Sequence, residues 1–99
     1  MYDTSNDLSP TTRRSIIEIL NEHLADAIDL ELQAKQAHWN IKGPNFVGLH
    51  ELFDKIAAQA GEYADEIAER AVAIGGVARG TLQAVSGQSQ LREYPLRGR

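Results

Sequence analysis

The twenty residues HELFDKIAAQAGEYADEIAE, positions 50–69, are rich in helix-forming residues and carry two pairs of potential metal ligands. His50 and Asp54 lie four residues apart, as do Asp65 and Glu69, so the members of each pair share one face of a helix. Fifteen residues separate His50 from Asp65, which places the two pairs about 22 Å apart along the helix axis. A single copy of this helix therefore cannot bring both pairs to one ion.

Antiparallel pairing of two copies removes this separation. A two-fold axis between Gln59 and Ala60 places His50 near the partner's Glu69 and Asp54 near the partner's Asp65. Small residues in the middle of the stretch are expected to let the two helices approach closely: Ala57, Ala58, Ala60, Gly61 and Ala64. The sequence therefore predicts a symmetric dimer with two identical sites, each built from both chains.

The composition is that of a small soluble domain. The chain has 99 residues, 42% of them hydrophobic and 24% charged, and so short a chain is expected to supplement its core by oligomerisation or a metal. The absence of cysteine excludes disulfides and thiolate-held zinc or iron–sulfur sites. The net charge of −4 argues against a general attraction to nucleic acid. Because no secretory signal or membrane-length apolar run is visible, we expect a cytoplasmic protein with no membrane partner.

The first long helix is predicted to begin at Ser9 and Pro10, which are typical of an N-cap and a first helical position. It extends to about Trp39 along an apolar stripe formed by Ile16, Leu20, Leu24, Ala27, Ala34 and His38. A neighbouring stripe is formed by Ile19, Leu30, Ala37 and Ile41. This helix is thus apolar over a wider arc than one partner helix would cover.

A second long helix follows a break at Gly43-Pro44. Asn45 is its predicted N-cap, and it is expected to run to about Ile74, where Gly75-Gly76 supplies a stop. The short connection makes the two helices antiparallel neighbours. One face of the second helix is expected to form a core stripe of Leu49, Phe53, Ile56, Tyr63, Ile67 and Ile74.

The predicted fold class is therefore all-α: a two-helix hairpin that pairs across a two-fold axis into a four-helix bundle. Residues 1–8 are expected to form a flexible tail and residues 9–76 the hairpin. Residues 77–99 are expected to form a loop with a short helix near 81–86 and a C-terminal tail in which Tyr94-Pro95 is extended.

The hairpin turn is expected to bring His38 close to His50, and the partner copy adds Asp65 and Glu69 at the same end. Two imidazoles and two or three carboxylates, with Asp54 among them, suit iron, manganese or zinc better than copper(I). Each residue also has a simpler explanation. A lone histidine on an apolar stripe is usually packed, and Asp54, Asp65 and Glu69 could be solvated acids on a salt-bridged face. The joint geometry favours a metal site; His23, which has no companion, is expected at the surface.

Three segments of the chain resemble the Dps family, the ferritin-like mini-ferritins named as DNA-binding proteins from starved cells. They read His38-Trp39-Asn40-x-x-Gly43-Pro44-Asn45-Phe46, Leu49-His50-Glu51-x-Phe53-Asp54 and Tyr63-Ala64-Asp65-x-Ile67-Ala68-Glu69-Arg70. The resemblance runs from about Ser9 to Leu96. It implies a ferritin-like hairpin from a four-helix-bundle subunit, which in the family assembles into a hollow dodecamer.

The resemblance also implies a function. Family members bind iron(II) at ferroxidase centres on the dimer interface, oxidise it preferably with hydrogen peroxide, and store the ferric product as mineral. The matching ligands are His38, His50 and Asp54 from one chain and Asp65 and Glu69 from the other, with zinc or manganese as surrogate metals. Trp39 is expected beside the site as a radical quencher, or alternatively as a packing residue at the hairpin end. Lys35 is expected either to tune the acids electrostatically or to be solvated.

The chain departs from the family pattern where it stops, at Arg99, because family members continue with two more long helices. We therefore expect two hairpins to pair and hold two sites, with oxygen as an alternative oxidant and with storage only if a cage forms. Two other functions stay open. One is a nucleoid DNA-binding role, for which only Arg92, Arg97 and Arg99 enrich the C-terminus in positive charge. The other is a metal-free structural helical dimer.

Overall fold

The computed structural model describes residues 8–44 and 46–93, and the chain is helical throughout the regular part of those residues. The helices are α1 (Pro10–Asn40), α2 (Phe46–Ala73) and α3 (Leu82–Gln88). α1 packs along α2, and α3 packs only on α1. The result is an elongated hairpin with extents of 55 × 22 × 16 Å. The predicted all-α hairpin is confirmed.

Local sequence signals account for the start of α1. The Ser9 hydroxyl oxygen accepts a hydrogen bond from the Thr12 amide at 3.2 Å, and Pro10 occupies the first turn, where a missing N–H costs nothing. The helix runs to Asn40, one residue beyond the predicted end.

The end of α2 is a glycine C-cap. Gly75 has a φ of +92°, and the Gly75 and Gly76 amides donate to the carbonyls of Val72 and Ala71 at 3.0 and 2.8 Å. A Cβ on Gly76 would lie 2.7 Å from Ile17 Cγ2, so a side chain there would force α1 away. The predicted stop at Gly75-Gly76 is confirmed, and α2 ends at Ala73, one residue before the predicted end at Ile74. The predicted N-cap Asn45, the extended Tyr94-Pro95 and all but the last residue of the tail at 1–8 lie outside the described residues.

The interface between α1 and α2 is lined by alanine, which corrects one expectation. Three of the five small residues assigned to contact between copies, Ala57, Ala60 and Ala64, are instead buried within the hairpin. Gly61 faces the Glu31 side chain of α1, and Ala58 is exposed. Small side chains let the two helix axes approach closely, so most of them serve the contact within the chain.

The apolar stripe expected to form the core of α2 is not the buried face. Tyr63 is 63% exposed, and Leu49, Phe53, Ile56, Ile67 and Ile74 are only half-buried. This stripe lies about 60° around α2 from the buried alanines, so α1 covers only its edge. On α1, Ile19 and Leu30 are 51% and 44% exposed, as expected for a helix with more apolar surface than one neighbour covers.

The segment after α2 is tied back to α1 by buried and half-buried polar groups. The Asn21 side chain donates to the Val77 carbonyl at 3.1 Å and accepts from the Arg79 amide at 2.8 Å. Beyond α3, which Thr81 caps, the Ser89 hydroxyl donates to Asp29 at 2.6 Å. These contacts hold residues 77–90 against α1. Over residues 8–44 and 46–93, no helix combines the length and apolarity that crossing a bilayer needs.

Candidate metal centre

His38 and His50 meet where the hairpin turns. His38 lies in the last turn of α1 and His50 in the second turn of α2, and their ring centroids are 3.6 Å apart with a tilt of 36°. Both residues are half-buried, so their rings are partly enclosed yet reachable from outside. The contact expected between the two histidines is present, which places two imidazoles at one point of the surface.

The backbone of α2 determines which nitrogen of His38 is available. His38 Nδ1 lies 2.6 Å from the carbonyl oxygen of His50. Because a carbonyl oxygen can only accept, Nδ1 must carry the hydrogen, and a neutral ring then has its lone pair on Nε2. Metal-binding histidines are commonly oriented by such a bond from their other nitrogen. His38 is therefore held in a tautomer that can ligate a cation.

Asp54 lies one turn after His50 and forms an ion pair with Lys35 of α1, with 2.6 Å between Asp54 Oδ1 and Lys35 Nζ. The hydrogen bond from Lys35 lowers the pKa of Asp54 below its ordinary value of 3.8, and the charge of Lys35 lowers it further. The carboxylate is consequently ionised at neutral pH. One of its oxygens is nevertheless occupied by an ammonium group.

Asp65 and Glu69 lie apart from this cluster. Both are exposed on α2, and fifteen residues of helix, or about 22 Å of axial distance, separate Asp65 from His50. In the described part of the chain, no three His, Cys, Asp or Glu side chains converge in a way that could hold a metal ion. The hairpin thus brings His38 and His50 into contact, with Asp54 one turn further along α2, and it leaves Asp65 and Glu69 far from them.

One aromatic ring, that of Phe46, contacts the histidine pair. The ring of Phe46 lies 5.0 Å from that of His50, and Trp39, next to His38, is 66% exposed. The role of Phe46 was missed in the sequence, although its spacing of four residues from His50 on a helix would have indicated the contact. Phe46 restricts the His50 ring from the side of the turn.

A groove runs along the part of the hairpin that carries Asp65. It has a volume of about 620 Å³ and is bordered by Glu31 of α1 and by Ala58, Gly61 and Asp65 of α2. A Cβ on Gly61 would lie 3.2 Å from the Glu31 carboxylate, so the absence of a side chain at Gly61 keeps this part of the groove open. Glu31 was not among the predicted site residues, since nothing in its own segment marks it.

This arrangement of helices is shared with known proteins. A family model described as the ferritin-like domain matches residues 17–95, and the chain belongs to that family. Within it, the chain groups with the Dps proteins, because it is 51% identical over 94 residues to the DNA protection during starvation protein of Agrobacterium fabrum. The resemblance noted in the sequence is confirmed.

Solved structures agree with this assignment. The chain matches Dps from Mycobacterium smegmatis with a TM-score of 0.89 at 34% identity over 96% of its length. It matches a Dps protein from Streptomyces coelicolor with a TM-score of 0.89 at 36% identity over 99% of its length. It spans 58% of the Agrobacterium relative, 58% of the first structure and 57% of the second.

Proposed function

We propose that the protein is a Dps-type ferroxidase that binds iron(II) between two copies of the chain and oxidises it with hydrogen peroxide or oxygen. The observation that carries this proposal is the contact between His38 and His50, with Asp54 one turn away. Two imidazoles and a carboxylate at the surface form half of a nitrogen–oxygen site. The identity of 51% to a DNA protection during starvation protein supports the same assignment.

The second half of the site comes, in this proposal, from the partner copy. With α2 antiparallel to its mate about an axis between Gln59 and Ala60, the partner's Asp65 and Glu69 approach the histidine pair. Exposure of these carboxylates leaves them accessible to another chain, and the low groove at Gly61 and Ala58 leaves room for a facing helix. Large apolar side chains uncovered on both long helices favour association.

The carboxylates at the proposed interface make dimer formation depend on a bound metal. Antiparallel alignment brings Asp54 and the partner's Asp65 together, and such carboxylates repel one another unless a cation lies between them. Divalent ions therefore stabilise the pair by mass action. A mixed imidazole and carboxylate set suits iron(II), while the carboxylates also hold the harder iron(III) product. Zinc and manganese are expected to occupy the same set as surrogates.

The redox step balances without a protein nucleophile. Two iron(II) ions each give one electron, and one hydrogen peroxide molecule takes both electrons with two protons to give two waters. Trp39, exposed beside His38, is assigned the role of reducing a stray radical before it escapes. The minimal assembly is a two-fold dimer. A dodecameric cage, mineral storage and a cytoplasmic setting belong to the proposal only for a subunit that assembles as its longer relatives do.

A mixing experiment tests whether the two halves of each site belong to different chains. His50→Ala lacks a ligand in the histidine half, and Asp65→Ala lacks one in the carboxylate half. Each variant alone should lose iron-dependent peroxide consumption. Refolding an equal mixture should restore about a quarter of the parent rate, because half of the dimers are mixed and each mixed dimer keeps one intact site. His23→Ala, at an exposed histidine on α1, serves as the control and should keep the parent rate.

Two results of this experiment would contradict the proposal. Unchanged peroxide consumption in either single variant would remove the residue from the chemistry. Inactive variants whose mixture stays inactive, although sedimentation shows dimers, would mean that the halves are not shared between chains. A dimer that binds no iron at all would instead support the metal-free structural reading.

DNA binding is a second candidate, favoured by the name of the relatives as DNA protection during starvation proteins. The net charge of −4 and the few arginines near the C-terminus predict binding that is weak and lost at physiological salt. Gel shifts at low and physiological salt separate this function from protection by iron removal alone. A shift that survives physiological salt would establish DNA as a direct partner.

A further inference from the structure

Two valines stand on the ligand-bearing face of α2, just outside the proposed ligand set. Val47 lies three residues before His50, and Val72 lies three residues after Glu69. Because three residues make nearly one helical turn, each valine shares the face of the neighbouring ligand. Val47 and Val72 are 66% and 57% exposed, so the hairpin leaves most of each uncovered. The proposed iron chemistry uses neither of them.

The ligand-bearing face of α2 has a seven-residue repeat. One row consists of Val47, Asp54, Gly61 and Ala68, and a second row consists of Glu51, Ala58, Asp65 and Val72. A strict seven-residue repeat is typical of helices that cross at a shallow angle of about 20° and stay in contact over several turns. In the antiparallel register that pairs His50 with the partner's Glu69, the first row faces the second, and Val47 meets the partner's Val72.

We propose that Val47 of each chain packs on the partner's Val72 and forms an apolar layer that closes one end of each metal site. The inference rests on the proposed function and identifies the surface on which the second copy docks. Each layer lies one turn beyond the pair formed by His50 and the partner's Glu69, on the side away from the two-fold axis. The site is thereby bounded by valines at its outer end and by the small residues of the helix middle at its inner end.

The charges of the two sites explain why the pair needs such layers. The contact line holds Asp54 close to the partner's Asp65, and these carboxylates repel one another until a cation lies between them. Burying apolar surface is favourable whatever the charge, so a valine layer at each end offsets part of this repulsion. The layers also fix which residues face each other, and the ligands of both chains are therefore in register when the metal arrives.

The charges beside the contact line favour the same occupant. Lys55 is exposed and forms no ion pair among the described residues. The antiparallel register places it between the partner's Glu62 and Glu66, which are both exposed in the hairpin. A face that carries mostly acids, with a lysine opposite acids of its mate, fits a second copy of this chain and repels an anionic partner such as DNA.

Cysteine crosslinking tests the valine contact, because the 99-residue chain contains no cysteine of its own. A disulfide forms only where two Cα atoms come within about 7 Å of each other. Val47→Cys and Val72→Cys chains, mixed with Mn(II) and oxidised with diamide, should give a covalent dimer on a non-reducing gel. Mn(II) is chosen because it prefers oxygen ligands to thiolates. Either variant alone should stay monomeric on the gel, since its two cysteines lie about 37 Å apart along the paired helices.

The matched control keeps the register and changes the side of α2. Leu52 and Ile67 each lie five residues from the corresponding valine, which is about 140° around the helix. Leu52→Cys mixed with Ile67→Cys should therefore give no more covalent dimer than the single variants. Crosslinking of this pair in place of the valine pair would make the apolar stripe the interface, and would overturn both the inference and the proposed pairing.

Dimer affinity provides a second measurement that needs no cysteine. In sedimentation equilibrium with Mn(II), Val47→Ala should weaken the dimer about tenfold or more, because both layers of the dimer are affected. Val47→Ala/Val72→Ala should be little weaker than either single variant, since both substitutions remove the same contact. Leu52→Ala should keep the parent affinity.

Two results would overturn the inference. One is parent affinity in Val47→Ala, and the other is a valine pair that crosslinks no faster than the control pair. If the mixture of His50→Ala and Asp65→Ala still recovers peroxide consumption in that case, the proposed sites stand without the valine layers. A parent chain that forms no dimer with Mn(II) would overturn the proposed function and this inference together.

Discussion

The two ends of the ligand-bearing stretch of α2 differ in how much of their environment the chain itself supplies. At the N-terminal end, His50 and Asp54 are each engaged by α1, through His38 and Lys35 respectively. At the C-terminal end, Asp65 and Glu69 are exposed and form no side-chain hydrogen bond or ion pair with the described residues. One half of the proposed site is thus organised by folding of the chain itself. The other half, in the proposed dimer, joins it only when a second copy binds.

This difference has a thermodynamic consequence. Groups that are already oriented cost little further conformational entropy on binding, so folding has prepared the histidine half in advance. In the proposed dimer, the carboxylate half contributes only when two chains meet, so the metal affinity should depend on protein concentration. Substitutions in the two halves should therefore differ in their effect on the stability of the metal-free chain. Both should abolish the additional stability that a bound metal provides.

The largest expected effect comes from removing each half in turn. Asp65→Ala/Glu69→Ala should leave the free energy of unfolding of the metal-free chain within about 0.5 kcal/mol of the parent, because both side chains are exposed. His38→Ala/His50→Ala should lower it by about 1–3 kcal/mol, since the ring contact and the bond to the His50 carbonyl are lost. Both should abolish the stabilisation by Zn(II), which is about 2.7 kcal/mol at one hundred times the dissociation constant.

Urea denaturation with and without Zn(II) measures these four values. Zn(II) stabilisation that survives in Asp65→Ala/Glu69→Ala would mean that the histidine half binds metal alone, and the contrast between the halves would disappear. If the two double variants have the same free energy of unfolding without metal, the histidine contact contributes nothing to folding.

A smaller effect is expected at the predicted two-fold axis. Ala58 is exposed beside Gly61 in the groove, so Ala58→Glu should place a bulky charge opposite the partner helix and weaken the dimer at least about tenfold. Gln59→Glu introduces the same charge one residue further, on a different side of α2, and should change dimerisation little. Sedimentation equilibrium at several concentrations compares them. Equal weakening by both variants would place the interface elsewhere.

The helices of this fold were predictable because their ends are determined locally. Ser9 and Pro10 begin α1, and Gly75 and Gly76 end α2, each through contacts within a few residues or with a fixed backbone shape. The pairing of His38 with His50 was also predictable, since a short turn brings the helix ends together.

The packing of α2 was less predictable. Its alanine line and its stripe of large apolar residues are both plausible inner faces, and periodicity does not say which one a given neighbour takes. In the structure, α1 packs against the alanines of α2, and Tyr63 is exposed. The contact between Lys35 and Asp54 joins residues nineteen positions apart, so it depends on the rotation of both helices. That rotation follows from packing, which the pattern of one sequence leaves open.

The smallest effect concerns the protonation of Asp54, which reports on the organised half alone. Because Lys35 lowers the pKa of Asp54 in the folded chain, its ion pair contributes stability above the ordinary value of 3.8 and loses it as pH falls through the lower folded value. The carboxyl carbon resonance of Asp54 should therefore titrate below pH 3.8, and Lys35→Met should move the midpoint upwards. Lys55→Met should leave it in place. A midpoint at or above 3.8 in the parent would show that the ammonium does not hold this carboxylate in solution, and the N-terminal half of α2 would then be organised by its histidines only.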